Sequence, residues 1–391
     1  MIRTAIVGLL AGIAWIIHAQ LEISFWTQKT TPIIAPDGPE ATNTSTGCAE
    51  NLSPAPAIKA VSAMARGAYI ELSAAAPDTG IDLTRHDGII RTTHDGQVIE
   101  NLDIYSNGTA IEVTHDNVII RNVRVHHADG DGIWANGANN LLIENVEVIN
   151  TDPPTGQNPE ENESFNNIEL YNSPDATIHN VTVREGSSGI NLVLSPRADI
   201  DHVDGYDFHG PFPRGQFVQF NQSPDSTLTN FYTHNDPKGS FVEDNVSVFN
   251  SPRVRIENGV IDGNNSVTGA GVQVESGSTG TIVKNVDVIH QANAGFSAWE
   301  ADDVTFTDVR TFDSISTDQG RGRPSSGGIE FIVNANSVVF DDATYTRPGN
   351  PGNIAWDVSK AELYDAKADP SAVPMSHDDF VNHWHWIARE N

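Results

Sequence analysis

From about residue 88 the chain alternates apolar and polar positions in short runs, and the same run keeps returning. It reads IENLDI (99–104), IRNVRV (120–125), IENVEV (143–148), IHNVTV (178–183), IDHVDG (200–205), LTNFYT (228–233), IENGVI (256–261), VKNVDV (283–288), FTDVRT (306–311) and FDDATY (340–345). An amide breaks the apolar rhythm at Asn101, Asn122, Asn145, Asn180, Asn230, Asn258 and Asn285, with His202, Asp308 and Asp342 as substitutes. Successive positions lie between 21 and 35 residues apart, a spacing that indicates a solenoid. Each unit carries a second short strand, among them GIWA, NIEL, GINL, FVQF and GVQV. Two or three short β-branched strands with no room for a crossover helix predict a coil.

Stacked coils pair their strands in parallel, about 4.8 Å apart. An asparagine repeated at one place in every coil can bond to its equivalents above and below, so a buried amide at a bend is satisfied in a ladder. The column is therefore expected to be structural. The turns NSPD (172–175), NQSPD (221–225) and NSPR (250–253) are expected to be turn chemistry, with Pro presetting φ.

The spaced I-x-N-V-x-V strands, the Gly before the second strand and the SPD turns resemble a right-handed parallel β-helix of the pectin-lyase-like superfamily, over roughly 88–360. The resemblance implies an all-β solenoid of about ten coils. That superfamily includes polysaccharide lyases, glycoside hydrolases, sugar epimerases and proteins with no known chemistry. The paired-Asp and GHG patterns of polygalacturonase-like members are missing, as is the DPH of mannuronan epimerases. The resemblance therefore carries over no catalytic residue.

Outside the repeat the pattern changes. Residues 1–26 hold Arg3 and an apolar stretch from Ala5 to Ile17, shorter than the roughly 20 residues of a membrane span. They are expected to be a signal peptide, with an uncleaved tether through residues 5–26 as the alternative. Both place the body outside the cytoplasm: periplasmic, cell-surface or secreted. Residues 27–54 have a linker composition. Residues 55–87 begin with Pro near a helix start and reach Gly67 at its end, with Ile58, Val61 and Met64 about three apart. They are expected to cap the solenoid, as are residues 361–391, where Phe380, Trp384 and Ile387 share a helical face. Cys48 is the sole cysteine, so no intrachain disulfide forms. A capped solenoid is expected to be a monomer.

Net charge is −30, from 22 Lys and Arg against 52 Asp and Glu. That field repels nucleic acid and anionic membranes. A polyanionic substrate would need a local basic patch, which directs attention to the few cations.

Four residues after the ladder position, four consecutive coils carry Arg184, Tyr206, His234 and Asp262, and nearby loops add His209, Arg214 and Lys238. Second-strand positions expected to point outward carry Asn191, Gln219, Gln273 and Glu275, with Trp134 and Trp299 at the ends, a set suited to sugar hydroxyls and ring faces. Loops 150–166 and 313–328 flank the region as candidate cleft walls. β-Elimination on a uronate polymer fits: His234 or Lys238 as base, Tyr206 as acid, Arg184 or Arg214 beside the carboxylate. If the substitution at His202 shifts the register, His209 takes the place of Tyr206.

Three alternatives stay open. A hydrolase on the same fold would use two carboxylates, such as Asp207 with Asp236 or Asp262, and a uronate epimerase is a further alternative on that fold. A non-catalytic carbohydrate-binding or envelope scaffold would use none of them. The partner in each case is a polysaccharide. In HHADGDG (126–132), Asp129 and Asp131 offer oxygen ligands, so Ca2+ is the one cofactor left open. The alternating ligand pattern of a Ca2+ loop is missing, and His126 and His127 face opposite ways in a strand, so the segment is expected to be a solvated turn and no metal ligand is assigned.

Overall fold

The computed structural model describes residues 82–153, 165–210, 214–236, 238–266, 268–312, 331–346, 355–356 and 361–375. All belong to one compact unit, Ile70–Asn391. The expected leader and linker lie outside the described residues, as do residues 55–81 and 376–391 of the expected caps (55–87 and 361–391); the described parts of those caps hold the strands Thr84–Asp87, Ala361–Tyr364 and Lys367–Ala368. Among the described residues every regular element is a strand.

The strands form two sheets, one of fourteen and one of eleven, and every pairing is parallel between successive coils. Each coil contributes one long strand to the first sheet and one short strand to the second. The solenoid reaches slightly beyond the 88–360 span: Thr84–Asp87 begins the first sheet, and Ala361–Tyr364 and Lys367–Ala368 extend it.

The repeated amide is the bend of the long strand. All ten positions from Asn101 to Asp342 have φ between 51° and 59°. That left-handed region costs most residues about 1–2 kcal/mol, and Asn least among those with a Cβ. One left-handed residue resets the alternation. In the coil around Asn180, Ile178 points in and His179 out, Asn180 bends the chain, Val181 and Val183 point in, and Arg184 points out. The amides bond along the column, Asn122 to Asn101 at 3.2 Å, Asn145 to Asn122 at 3.2 Å, and Asn180 to Asn145 at 2.6 Å. Most of these side chains are half-buried or exposed, not buried as the periodicity suggests, because a left-handed corner turns its side chain outward.

The SPD-type turns hold a second ladder. Ser173, Ser195, Ser223, Ser251 and Ser278 are wholly buried. Each hydroxyl from Ser195 onward accepts the backbone N–H of the serine one coil earlier, at 2.7–3.0 Å. The interior between the sheets is filled by Ile, Val and Leu, each contributing about 1.5–3 kcal/mol by leaving water. At one level aromatic rings replace them. Gly205 occupies an inward position where other coils place Val, and a Cβ there would lie 2.4 Å from the Phe217 ring.

Candidate functional site

The second sheet carries a polar outer column. Its strands alternate with period two, so Ile168 and Leu170 point in while Glu169 points out. Register places Trp134, Glu169, Asn191, Gln219, Ser247 and Gln273 side by side on successive strands. Neighbours in such a column are about 4.8 Å apart, closer than the length of a sugar ring with its substituents.

Two carboxylates stand at one end of this column. Asp131 lies just before the strand Ile133–Asn136, and Glu169 lies on the strand Ile168–Tyr171. Asn166 connects them: its backbone N–H donates to Asp131 Oδ1 at 2.8 Å and its side-chain amide donates to Glu169 Oε2 at 2.7 Å. Asn191 donates to the same Glu169 oxygen at 2.7 Å. Burial pushes the Glu169 carboxyl up to about 7, and the charge of Asp131 adds to it, while bonds from Asn191 and Asn166 and the field of Arg214 pull back. Burial likewise raises Asp131 to about 6, against the bond from Asn166 and the field of Arg214. Both carboxyls are therefore protonated more readily than ordinary carboxylates, Glu169 more so than Asp131. The buried Oδ1 atoms of Asn166 and Asn191 accept no hydrogen bond from the described residues.

Arg184, Tyr206, His234 and Asp262 do stack on adjacent strands of the first sheet, in the register expected. They are engaged with one another and with neighbours. The Arg184 guanidinium sits 4.1 Å from the Tyr206 ring centre, and its Nε is 3.3 Å from Glu147. Burial, with Asp204 beside it, pushes the Tyr206 phenol far up. His234 Nδ1 lies 3.1 Å from Asp262, whose other oxygen meets His290 at 2.6 Å. The bond to Asp262 raises His234. Burial pushes the Asp262 carboxyl up, but the bonds from His234 and His290 outweigh it and hold it down to about 2.

The other expected residues divide between places. His209 pairs with Glu185 at 2.5 Å. Lys238 is exposed, on a loop whose backbone bonds to Asp236. Arg214 belongs with the second sheet, because its charge acts on Asp131 and Glu169. Asn191, Gln219 and Trp134 are half-exposed in the polar column, whereas Gln273 and Glu275 are each 5% exposed and offer a ligand little surface. Glu275 and Trp299 form a parallel column two residues on. Most of loop 150–166 and all of 313–328 lie outside the described residues.

In the 126–132 segment, His126 stacks on Tyr105 at 4.2 Å. His127 is fully buried, with Nδ1 donating to the Gly130 carbonyl at 2.6 Å and Nε2 accepting from Asn167 at 3.2 Å. Burial lowers its pKa to about 4, so it is neutral. The segment is thus anchored from inside, and Asp131 is aimed at the second sheet. The sequence signal for Glu169 is its offset: it holds the same place in NIEL that Asn191 holds in GINL.

A family model for the right-handed β-helix region matches residues 79–210. No curated protein matches the sequence. Among solved structures, the pectate lyase Pel9A is 12% identical with a TM-score of 0.44, covering 74% of this chain and 80% of that one. An alginate lyase, AlyF-OU02, is 10% identical with a TM-score of 0.37, covering 73% and 84%. An endo-xylogalacturonan hydrolase from Aspergillus tubingensis is 10% identical with a TM-score of 0.24, covering 73% and 85%. The parallel sheets, the bend ladder and the family model agree on the architecture: a right-handed parallel β-helix.

Proposed function

We propose that this chain is an exported carbohydrate-active enzyme that hydrolyses glycosidic bonds in an extracellular polysaccharide laid along the second sheet. The observation that carries the reading is the pair of raised carboxyls, Glu169 and Asp131, joined through Asn166 at the end of a polar column. Glu169 protonates the leaving oxygen, Asp131 serves as base toward water, and Arg214, Asn191 and Gln219 hold the sugar. A hydrolase needs such an acid and base with separated proton affinities. Export rests on the apolar stretch in residues 1–26.

β-Elimination is the second reading, supported by Arg184, Tyr206 and His234 standing on adjacent strands. It is the weaker one. Arg184 is already held by Glu147 and Tyr206, and Asp262 makes His234 a more readily protonated group and so less available as a neutral base.

A polysaccharide panel separates these readings. Hydrolysis releases reducing ends without the ultraviolet absorbance of unsaturated ends, elimination releases both, and a scaffold binds without release. On the substrate found, the rate should peak between about pH 6 and about pH 7. It falls below that window as Asp131 takes a proton and above it as Glu169 loses one. Glu169→Gln and Asp131→Asn should each lower kcat by at least about a hundredfold. Unsaturated products, or wild-type turnover in Glu169→Gln, would falsify the assignment.

A further inference from the structure

On the limb of the first sheet before the bend, His179 and Asp201 are register partners on successive strands. His202, the next residue, occupies the bend itself, with φ of 53°. Its Nδ1 lies 2.5 Å from Asp201 Oδ2, and His179 Nε2 lies 3.6 Å from the same oxygen. The two imidazoles meet edge-on with ring centres 5.4 Å apart. Among the described residues this is the one group of three or more His, Cys, Asp or Glu side chains whose ligand atoms all lie within 4.8 Å of each other. Asp129 and Asp131 belong to no such group.

The position argues for more than coincidence. Elsewhere along the column an asparagine bonds to the asparagine below it, as Asn285 does to Asn258 at 2.9 Å. At His202 the run of amides is cut, and Asn230 donates to Asp201 Oδ1 at 2.7 Å instead. Thr229 donates to that same oxygen at 2.7 Å. Both donors fix one carboxylate oxygen and leave the other facing the two imidazoles, the outer-shell arrangement that orients a metal-binding carboxylate. The three side chains are 26%, 28% and 32% exposed, so an ion can reach them.

Two imidazole nitrogens and one carboxylate oxygen suit Zn2+. Ca2+ takes six to eight oxygens and is a poor match. Ligand atoms about 2.0 Å from a tetrahedral zinc lie about 3.3 Å apart; here the carboxylate oxygen lies 2.5 Å from one imidazole nitrogen and 3.6 Å from the other, on either side of that spacing. We propose that His179, Asp201 and His202 bind one Zn2+, with water completing the shell, and that the ion fastens two successive coils where the amide ladder is interrupted. The site is on the first sheet and does not depend on the chemistry of Glu169.

The test uses the full chain, stripped of metal by a chelator and then titrated with zinc chloride by calorimetry and thermal melting. The variants are His179→Ala and His202→Asn. The second restores the ladder amide, so its metal-free Tm should equal or exceed that of the wild type. The wild type should bind Zn2+ and gain about 5 °C in Tm at a hundred times Kd. Each variant should bind one Zn2+ fewer and lose that gain, whatever other histidines bind. A wild type whose Tm does not respond to Zn2+, or a His202→Asn variant with unchanged stoichiometry, overturns the proposal.

Discussion

At the scale of the residue, Glu169 couples the stability of the fold to pH. Its carboxyl is raised from 4.5 to about 7 on folding, so the folded state favours the protonated form. The stability this group allows is therefore fully present below the unfolded value and is lost as pH rises through the folded one. Glu169→Gln removes the charge that burial penalises. The variant should be more stable than wild type at pH 8, by on the order of 1–3 kcal/mol, and the difference should shrink toward pH 4. Urea melts at the two pH values measure this. An equal difference at both would show that the carboxyl is not desolvated. The same variant should lose turnover, so a gain in stability would accompany a loss of activity.

At the scale of the element, the bend and its ladder decide how each coil closes. Asn145 combines a left-handed φ of 53° with an amide that donates to Asn122 and accepts from Asn180. Asn145→Ala loses both bonds and places a less tolerant residue in the left-handed region, for about 2–3 kcal/mol. Asn145→Gly keeps the conformation at little strain and loses only the bonds, so it should cost less, about 1–2 kcal/mol. Chemical denaturation of the pair separates backbone strain from hydrogen bonding. If glycine costs as much as alanine, the bend contributes nothing beyond its amide. The column of amides was legible because the period is long and the motif short. Its physical reason was not, because alternation in sequence cannot reveal that the phase resets at a left-handed residue. The serine ladder is hidden for a related reason: a serine in a turn meets its partner only when the coils stack.

For the whole molecule, a net charge of −30 on a stacked scaffold sets up self-repulsion that every coil shares. Raising ionic strength from 0.01 M to 0.15 M shortens the Debye length from about 30 Å to about 8 Å. Tm should therefore rise with sodium chloride across that range, measured on metal-free protein. A falling Tm would mean that local pairs such as Arg197–Asp175 and Arg253–Asp225 outweigh the global field. The scarcity of cations also gives Arg214 its interest, since it is an exposed positive charge acting on two raised carboxyls.

The chain by itself determined the coil, the bend positions and the strand register, because each repeat writes the same inward apolar pair around the same corner residue. It brought Arg184, Tyr206, His234 and Asp262 to neighbouring strands for that reason. Tertiary structure decided which polar residues meet across loops rather than along strands. Asp131 reaches Asn166 over a separation of 35 residues, and a group's own burial, together with the charges and donors packed against it, raises or lowers its proton affinity. Desolvation is a property of everything packed around a group, and no local pattern records it.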